Sequence, residues 1–335
     1  VWTLEEALTL TKANRWPTAG NALERAVFGG GAYNVVNTMD YVSIASTGNA
    51  TDFGDLTSAR CYVGAHSSAT RGVIGGGRTT NFAVTGQDFI DYITIASTGN
   101  GTDFGNLTVG RNMLGSCNSA TRGIFFGGAT DAAAAGTNTI DYITIASTGN
   151  ATDFGDTSHS TDFQKLAGTS SPTRGVFGGG YEQDGFTAVP KDHIEYITIA
   201  STGNGTDFGN LTASRYETAA FSSGTRACFG GGVLSDGNKS NIIDYITISS
   251  TGNATDFGDL ASTTQAMTGA SSSTRGLFAG GSETAEARTT RIQYVTIAST
   301  GNTSDFGDLT TSADTSAGNG RDGAGGMSNV NGGIS

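Results

Sequence analysis

Proline, cysteine and charged side chains are all scarce in this chain. Its 335 residues include 3 Pro, 3 Cys and only 14% charged residues, with a net charge of −12. The three cysteines, Cys61, Cys117 and Cys228, are odd in number and far apart in sequence. This spacing argues against a disulfide framework and against a zinc cluster, so we interpret them as small apolar residues.

Long apolar runs and excess positive charge are missing as well. No run approaches the about 18 apolar residues that indicate a membrane-spanning helix, which argues against membrane insertion. Because nucleic-acid affinity depends on cationic side chains, 18 Lys and Arg against 30 Asp and Glu argue against a nucleic-acid partner. Leu, Ile, Val and Phe total only 63 residues, which is little for an ordinary core.

An internal repeat organises the chain. A segment close to Asp-Tyr-Ile-Thr-Ile-Ala-Ser-Thr-Gly-Asn occurs six times and is followed each time by Asp-Phe-Gly. The Phe recurs at intervals of 51, 50, 54, 49 and 49 residues, at Phe53, Phe104, Phe154, Phe208, Phe257 and Phe306. An Arg, a short apolar run and a glycine pair precede each segment, with the Arg at Arg25, Arg71, Arg122, Arg174, Arg226 and Arg275.

Each unit predicts four short strands. These are a small-residue stretch, the apolar run, the alternating Tyr-Ile-Thr-Ile-Ala segment and the Thr-Asp-Phe-Gly segment. Ser-Thr-Gly-Asn between the third and fourth strands is typical of a tight hairpin. Repeats of this length with four strands each predict an all-β propeller, in which stacked blades share one core.

We expect six four-stranded antiparallel blades within residues 10–309, after an N-terminal extension over residues 1–9. The blades are predicted at about 10–56, 57–107, 108–157, 158–211, 212–260 and 261–309. Leu10 precedes Arg25 by the same 15 residues that separate Leu56 from Arg71, so residue 10 is expected to begin the first unit. Residues 310–335 are a C-terminal closing strand or a tail. A degraded repeat around Arg321 leaves seven blades as an alternative.

The order of apolar run, double glycine, variable loop, aromatic third strand and aromatic fourth strand resembles the kelch repeat. The fourth strand departs from that family, since it carries Phe where kelch repeats usually have Trp. The repeat segment Tyr-Ile-Thr-Ile-Ala-Ser-Thr-Gly-Asn is similar to kelch-like repeats in structural proteins of marine tailed bacteriophages. This resemblance implies a virion protein.

Several repeated polar residues have alternative interpretations. We expect the repeated Arg and the acid before each Tyr (Asp40, Asp91, Asp141, Glu195, Asp244) to form a structural charge ladder. Asn-x-Ser/Thr triplets favour turn geometry in the hairpins over glycan attachment. The hairpin Asn and Asp, for example Asn49, Asp52 and Asp55, leave Ca²⁺ binding as an open alternative.

Candidate catalytic groups do not fall into a repeated or convergent pattern. His66, His159 and His193 lie at three different positions of the repeat, which argues against a shared copper site like that of oxidase propellers. No arrangement of a Tyr nucleophile with an Arg triad can be assigned for a glycosidase of the sialidase type. We therefore expect no cofactor, no metal and no enzymatic activity, with a glycosidase or oxidase as the less favoured alternative.

Variability between units is confined to one side of the predicted propeller. The hairpin between third and fourth strands is nearly constant, whereas the loop between second and third strands changes in length and content. These loops span 32–39, 78–90, 129–140, 181–194, 233–243 and 282–292, and they define the variable face. Loops on a rigid scaffold commonly carry recognition. Aromatic and cationic residues there are our candidate ligand-binding residues: Tyr33, Arg78, Phe82, Phe89, Tyr181, Phe186, Lys239 and Arg288.

The sequence therefore predicts a noncatalytic interaction propeller that belongs to a larger assembly. We expect a phage virion component, such as a tail fibre, spike or capsid decoration, whose partner is a host-surface glycan or another virion protein. The alternative is a bacterial lectin-like adhesin that is secreted or displayed at the cell surface.

Overall fold

The computed structural model describes residues 24–32, 35–80, 85–130, 136–158, 163–184, 187–283, 287–310 and 320–334. Within these ranges the chain forms strands and loops without helices, so none of the described residues belong to a helix that could span a membrane. Six four-stranded antiparallel sheets are arranged as the blades of a propeller. The all-β fold with six blades is thus confirmed.

The blades follow each other along the chain, and in each blade the first strand named lies nearest the axis. Blade 1 contains β29 (Gly325–Ser328), β1 (Arg25–Gly29), β2 (Thr38–Ser43) and β3 (Thr51–Asp55). Blade 2 contains β4 (Gly64–Ser67), β5 (Arg71–Gly75), β6 (Phe89–Thr94) and β7 (Thr102–Asn106). Blade 3 contains β8 (Gly115–Asn118), β9 (Arg122–Phe126), β10 (Thr139–Thr144) and β11 (Thr152–Asp156).

The remaining blades have the same order. Blade 4 contains β13 (Ala167–Ser170), β14 (Arg174–Gly178), β17 (His193–Thr198) and β18 (Thr206–Asn210). Blade 5 contains β20 (Ala219–Ser222), β21 (Arg226–Gly230), β23 (Ile242–Thr247) and β24 (Thr255–Asp259). Blade 6 contains β25 (Thr268–Ser271), β26 (Arg275–Ala279), β27 (Arg291–Thr296) and β28 (Ser304–Asp308). Two small sheets pair β12 (Phe163–Gln164), β15 (Tyr181–Asp184) and β16 (Thr187–Pro190), and β19 (Arg215–Tyr216) with β22 (Val233–Leu234).

The propeller closes through the C-terminal segment. β29 pairs antiparallel with β1 and supplies the innermost strand of blade 1. The sequence pattern assigns that position to the segment from Leu10, which lies outside the described residues. Gly325–Ser328 of the C-terminal segment is therefore part of the first blade.

Neighbouring blades share one hydrophobic core, which explains why a small number of apolar residues is enough to build it. Six clusters of buried side chains each combine two adjacent blades. In one of them, Ile90 and Phe104 of blade 2 pack with Phe125 and Ile143 of blade 3. Each blade thus buries both faces, as stacked repeats do.

Local geometry explains why the Phe-Gly and Gly-Gly pairs recur. A bulge in every outer strand pair leaves the repeated Phe without a cross-strand partner; in blade 2, Ile90 pairs with Gly105 and Asp91 with Asp103. Gly76, in the glycine pair of the same blade, has a φ of +67°. A Cβ there would lie 2.6 Å from the carbonyl oxygen of Arg111 in the next blade, so only glycine fits.

Candidate binding face and axial mouth

Six backbone segments surround the propeller axis where the inner strands begin, on the variable face. One residue of each blade has a left-handed backbone: Tyr62, Met113, Lys165, Glu217, Ala266 and Gly323, with φ between +54° and +62°. The amide of each donates to the carbonyl of its counterpart in the preceding blade, at 2.6–3.0 Å. The six hydrogen bonds form a closed ring, which we call the mouth ring.

The backbone of the mouth ring is strained. Five of its six members are not glycine, and a left-handed backbone costs such residues about 1–3 kcal/mol each. Strain of this kind is common at ligand sites. A cavity of about 130 Å³ lies inside the ring, and a second cavity of about 40 Å³ lies deeper on the axis.

One side of the mouth carries an ion pair held between aromatic rings. Lys165 Nζ donates to Glu217 Oε1. The same ammonium lies 5.5 Å and 5.2 Å from the ring centroids of Tyr181 and Tyr216, which contact each other edge to face. Burial lowers the pKa of Lys165, but Glu217, Tyr181 and Tyr216 together outweigh this effect and the net direction is upward. Lys165 is therefore a fixed cation at the mouth.

The opposite side carries a second group of charges. The guanidinium of Arg78 lies 4.5 Å from the ring centroid of Tyr62. Arg288 Nε lies 3.3 Å from Asp322 Oδ2, and both side chains are buried. Burial raises the pKa of Asp322, Arg288 opposes this effect, and the negative charge of Glu217 adds to it. The two carboxylates are thus close enough to influence each other across the mouth.

The inner strands end in a second ring at the opposite face, which we call the hairpin face. The last side chain of each inner strand donates to the carbonyl of its counterpart in the preceding blade: Ser67, Asn118, Ser170, Ser222, Ser271 and Ser328. Asn331 in the C-terminal segment donates to Ser67 Oγ at 3.0 Å. The tail therefore covers this end of the axis, and the 130 Å³ cavity opens at the variable face.

The constant hairpins connect neighbouring blades. Gly99 N donates to Phe53 O at 2.8 Å, and Asn100 Oδ1 accepts from Asp55 N at 3.0 Å. The corresponding Asn makes the same bond in every blade, and Asn49 closes the circle by accepting from Asp308. Blade-to-blade hydrogen bonding therefore explains why the hairpin residues repeat. Among the described residues, no group of three or more His, Cys, Asp or Glu is placed to hold a metal ion.

The predicted charge ladder is wrong about which arginine binds the acid. Arg71 stacks on Tyr92 of its own blade, with its guanidinium 4.3 Å from the ring centroid, and donates to Ile145 O of the next blade at 2.8 Å. All six repeated Arg make the equivalent pair of contacts. The repeated Arg is thus held by its own blade's Tyr and the next blade's carbonyl, and the acids pair with other arginines.

A separate set of buried arginines binds four of the five acids. Its pairs are Arg60–Asp91, Arg111–Asp141, Arg215–Asp244 and Arg321–Asp40. Burial lowers the pKa of each of these guanidinium groups, and the partner carboxylate opposes that effect. Glu195, in blade 4, accepts from Ser158, as the other four acids accept from the corresponding Thr. Sequence reasoning missed this set, although three members lie four residues after a repeated Leu and could be found by aligning the units.

The candidate ligand-binding residues have different surroundings. Tyr181 is buried, and it lies around the mouth together with Arg78 and Arg288. Phe89 is 38% exposed at the start of β6. Lys239 donates to Ser282 Oγ at 3.0 Å, so it links two adjacent blades. Tyr33, Phe82 and Phe186 lie outside the described residues. A binding role for these eight residues stays a prediction.

The mouth-ring side chains, by contrast, were not predicted. They differ in every unit, and nothing local in the sequence indicates that this position joins a ring around the axis. Of the predicted histidines, His66 packs its ring on Phe125 with 4.6 Å between centroids, and burial lowers its pKa to about 3. His193 lies at the start of β17, and His159 is outside the described residues.

No protein-family model matches the chain, and no curated protein matches its sequence.

Proposed function

We propose that the chain is a noncatalytic interaction propeller of kelch-like type, built into a phage virion, with the variable face as its binding surface. The observation that carries this proposal is the contrast between the two faces. Hairpin-face residues repeat because they hold the blades together. The variable face carries the loops that differ from unit to unit and the open end of the axis.

The chemistry at the mouth supports binding rather than catalysis. Glu217 and Asp322 are its two buried carboxylates, and each forms an ion pair. A general acid or base must exchange its proton during turnover, which a fixed ion pair opposes. Paired charges beside tyrosine rings are instead typical of recognition surfaces.

The virion location rests on the resemblance of the repeat segment to kelch-like repeats of marine phage structural proteins. Immunogold labelling of purified particles tests it directly, and we expect label on the tail or the capsid. Particles that carry no label would refute the virion location. If the soluble chain then bound glycans, a lectin-like adhesin would replace the virion proposal.

The binding surface is tested separately with paired variants. Phe89→Ser changes an exposed side chain of the variable face, and Thr98→Ala changes an exposed hairpin. A glycan array and native mass spectrometry with other virion proteins should both report weaker binding for Phe89→Ser alone. Equal effects of the two variants would contradict the assignment of binding to the variable face.

A further inference from the structure

We propose that residues 321–334, which we call the closing segment, can be exchanged between copies of the chain, so that the inner edge of β1 binds the closing segment of a second copy. This inference goes beyond the proposed function, because it names a second copy as a partner at the variable face. It does not require the virion location.

Blade 1 is closed by contacts rather than by a covalent turn. In the other five blades a three-residue turn joins the innermost strand to the next strand, and in blade 2 this turn spans residues 68–70. The amide of Ser68 donates to Arg71 O at 2.8 Å, and its Oγ accepts from Arg71 N at 3.1 Å. In blade 1, Asn329 makes the equivalent two bonds with Arg25, at 3.3 Å and 2.8 Å, across 304 residues of sequence. The inner edge of β1 therefore binds a segment that is not joined to it by a turn.

The closing segment is held by specific contacts along its length. Arg321 donates to Asp40, and both side chains are buried. Four residues of β29 pair with β1, and Met327 packs in the core shared by blades 1 and 2. Ser328 donates to Ser271 O of blade 6. Because all these contacts lie between the closing segment and the rest of the propeller, the closing segment of a second copy would make the same ones.

The chain that leads into the closing segment is longer than closure requires. In blade 2, Thr57 and Arg60 bind one carboxylate, and two residues lie between them. The equivalent Thr310 and Arg321 both bind Asp40, but ten residues lie between them, which we call the hinge. Eleven extended residue steps reach about 36 Å. Arg321 can therefore bind Asp40 of a second copy while Thr310 keeps its own place.

The direction of the closing segment decides how two copies would meet. The segment runs from the variable face, where Gly323 belongs to the mouth ring, to the hairpin face, where Asn331 donates to Ser67. A donated segment must enter a second copy from the same side, so exchanging copies meet at their variable faces. Exchange adds none of the segment's contacts, so it competes with closure within one copy only near the effective concentration of the tether, roughly 1 mM.

Cysteine capture at one cross-strand pair tests the exchange. Val27 and Met327 are buried antiparallel partners, whose Cα atoms are expected to lie within disulfide distance. Val27→Cys and Met327→Cys in one chain should form an intrachain disulfide, which verifies the pairing. Chains that carry one substitution each, mixed at roughly 1 mM with a mild oxidant, should form an interchain disulfide that intact mass spectrometry detects.

Val330→Cys is the matched control for Met327→Cys, because it lies on the same segment beyond β29. Random collisions of an opened segment with Val27→Cys would capture both cysteines equally. Docking in register should favour Met327→Cys roughly tenfold or more, since only opposed Cα atoms have disulfide geometry. Equal capture would overturn the inference, as would the absence of an interchain bond where the intrachain bond forms.

Deletion of residues 311–318 is a second test, which leaves the core unchanged and decides the matter if the cysteine variants fail to fold. It places Arg321 four residues after Leu309, the spacing of Arg60 after Leu56, so closure within one copy is kept. The shortened hinge reaches only about 10 Å, which is too short for exchange. After incubation at roughly 1 mM, size-exclusion chromatography should show dimer for the unchanged chain and monomer alone for the deletion variant.

Dimer in both proteins, or in neither, would refute exchange through the hinge. Circular dichroism and thermal melting confirm that the deletion variant is folded. None of these results changes the outcome of immunogold labelling, which tests the virion location separately.

Discussion

Blade 6 supplies a natural control for the buried ion pairs, from which a quantitative prediction follows. Arg215 and Asp244 in blade 5 are fully buried and joined at 2.6 Å. The corresponding residues of blade 6 are Thr264 and Gln293, also buried. The chain thus tolerates a neutral pair at this position when both members change together.

Arg215→Thr alone should lower the free energy of unfolding by about 3–5 kcal/mol, because Asp244 keeps a buried charge without its partner. Arg215 also donates to Ile242 O at 2.6 Å and to Gly231 O at 3.2 Å, and those acceptors lose their donor as well. The double variant Arg215→Thr/Asp244→Gln removes the buried charge. It should be less destabilised than the single variant by about 2 kcal/mol or more.

Blade 6 contains one more hydrogen bond, which a substitution can introduce into blade 5. Gln293 Oε1 accepts from Ala261 N at 2.9 Å and from Thr303 Oγ1 at 2.6 Å. Ala254 occupies the position of Thr303 in blade 5. Adding Ala254→Thr to the double variant should therefore recover part of the remaining loss, by about 1 kcal/mol.

Urea denaturation followed by circular dichroism measures all four proteins, and unchanged m-values would show that the same unfolding transition is being compared. A double variant as unstable as Arg215→Thr, or less stable, would refute the reasoning. It would mean that the lost carbonyl hydrogen bonds, rather than the unpaired carboxylate, dominate the cost.

Three further predictions concern pH, glycine and closure. Burial holds the pKa of His66 at about 3, below the ordinary value of about 6.5, so its stabilising contribution is present above pH 6.5 and lost as the pH falls toward 3. Between pH 7.5 and 5 the free energy of unfolding should fall by about 2 kcal/mol because of this group. Parallel urea titrations of His66→Met should lack this fall. Equal pH slopes for the two proteins would contradict this. In thermal unfolding, Gly76→Ala should lower the free energy of unfolding by about 2 kcal/mol or more. Gly99→Ala should lower it by under about 1 kcal/mol, because a Cβ added at Gly99 has open space around it. Deletion of residues 321–335 removes β29 and leaves β1 as an exposed edge, so light scattering should detect association. A monomer with unchanged melting temperature would argue against closure by this strand.

The repeat made most of the blade predictable. Phe104 and Tyr92, for example, follow from alternation and turn residues that are all local in sequence, and they occur where expected in β7 and β6. The partner of Asp91 could not be found in this way. Arg60 and Arg71 both precede it, and only packing decides that Arg71 stacks on Tyr92 while Arg60 reaches the acid.

The sequence by itself determined the repeat, the four-strand pattern of the units and the division into a constant and a variable face, and it favoured six blades over seven. These features depend on side-chain periodicity and turn chemistry within about 50 residues, so they can be read along the chain. Only the tertiary structure decided how the circle closes, which end of the axis is covered and which side chains meet at its mouth. Gly323 and Tyr62 are neighbours in the mouth ring although they are distant in sequence. Six blades must close before such residues meet, so the candidate site is a property of the whole ring.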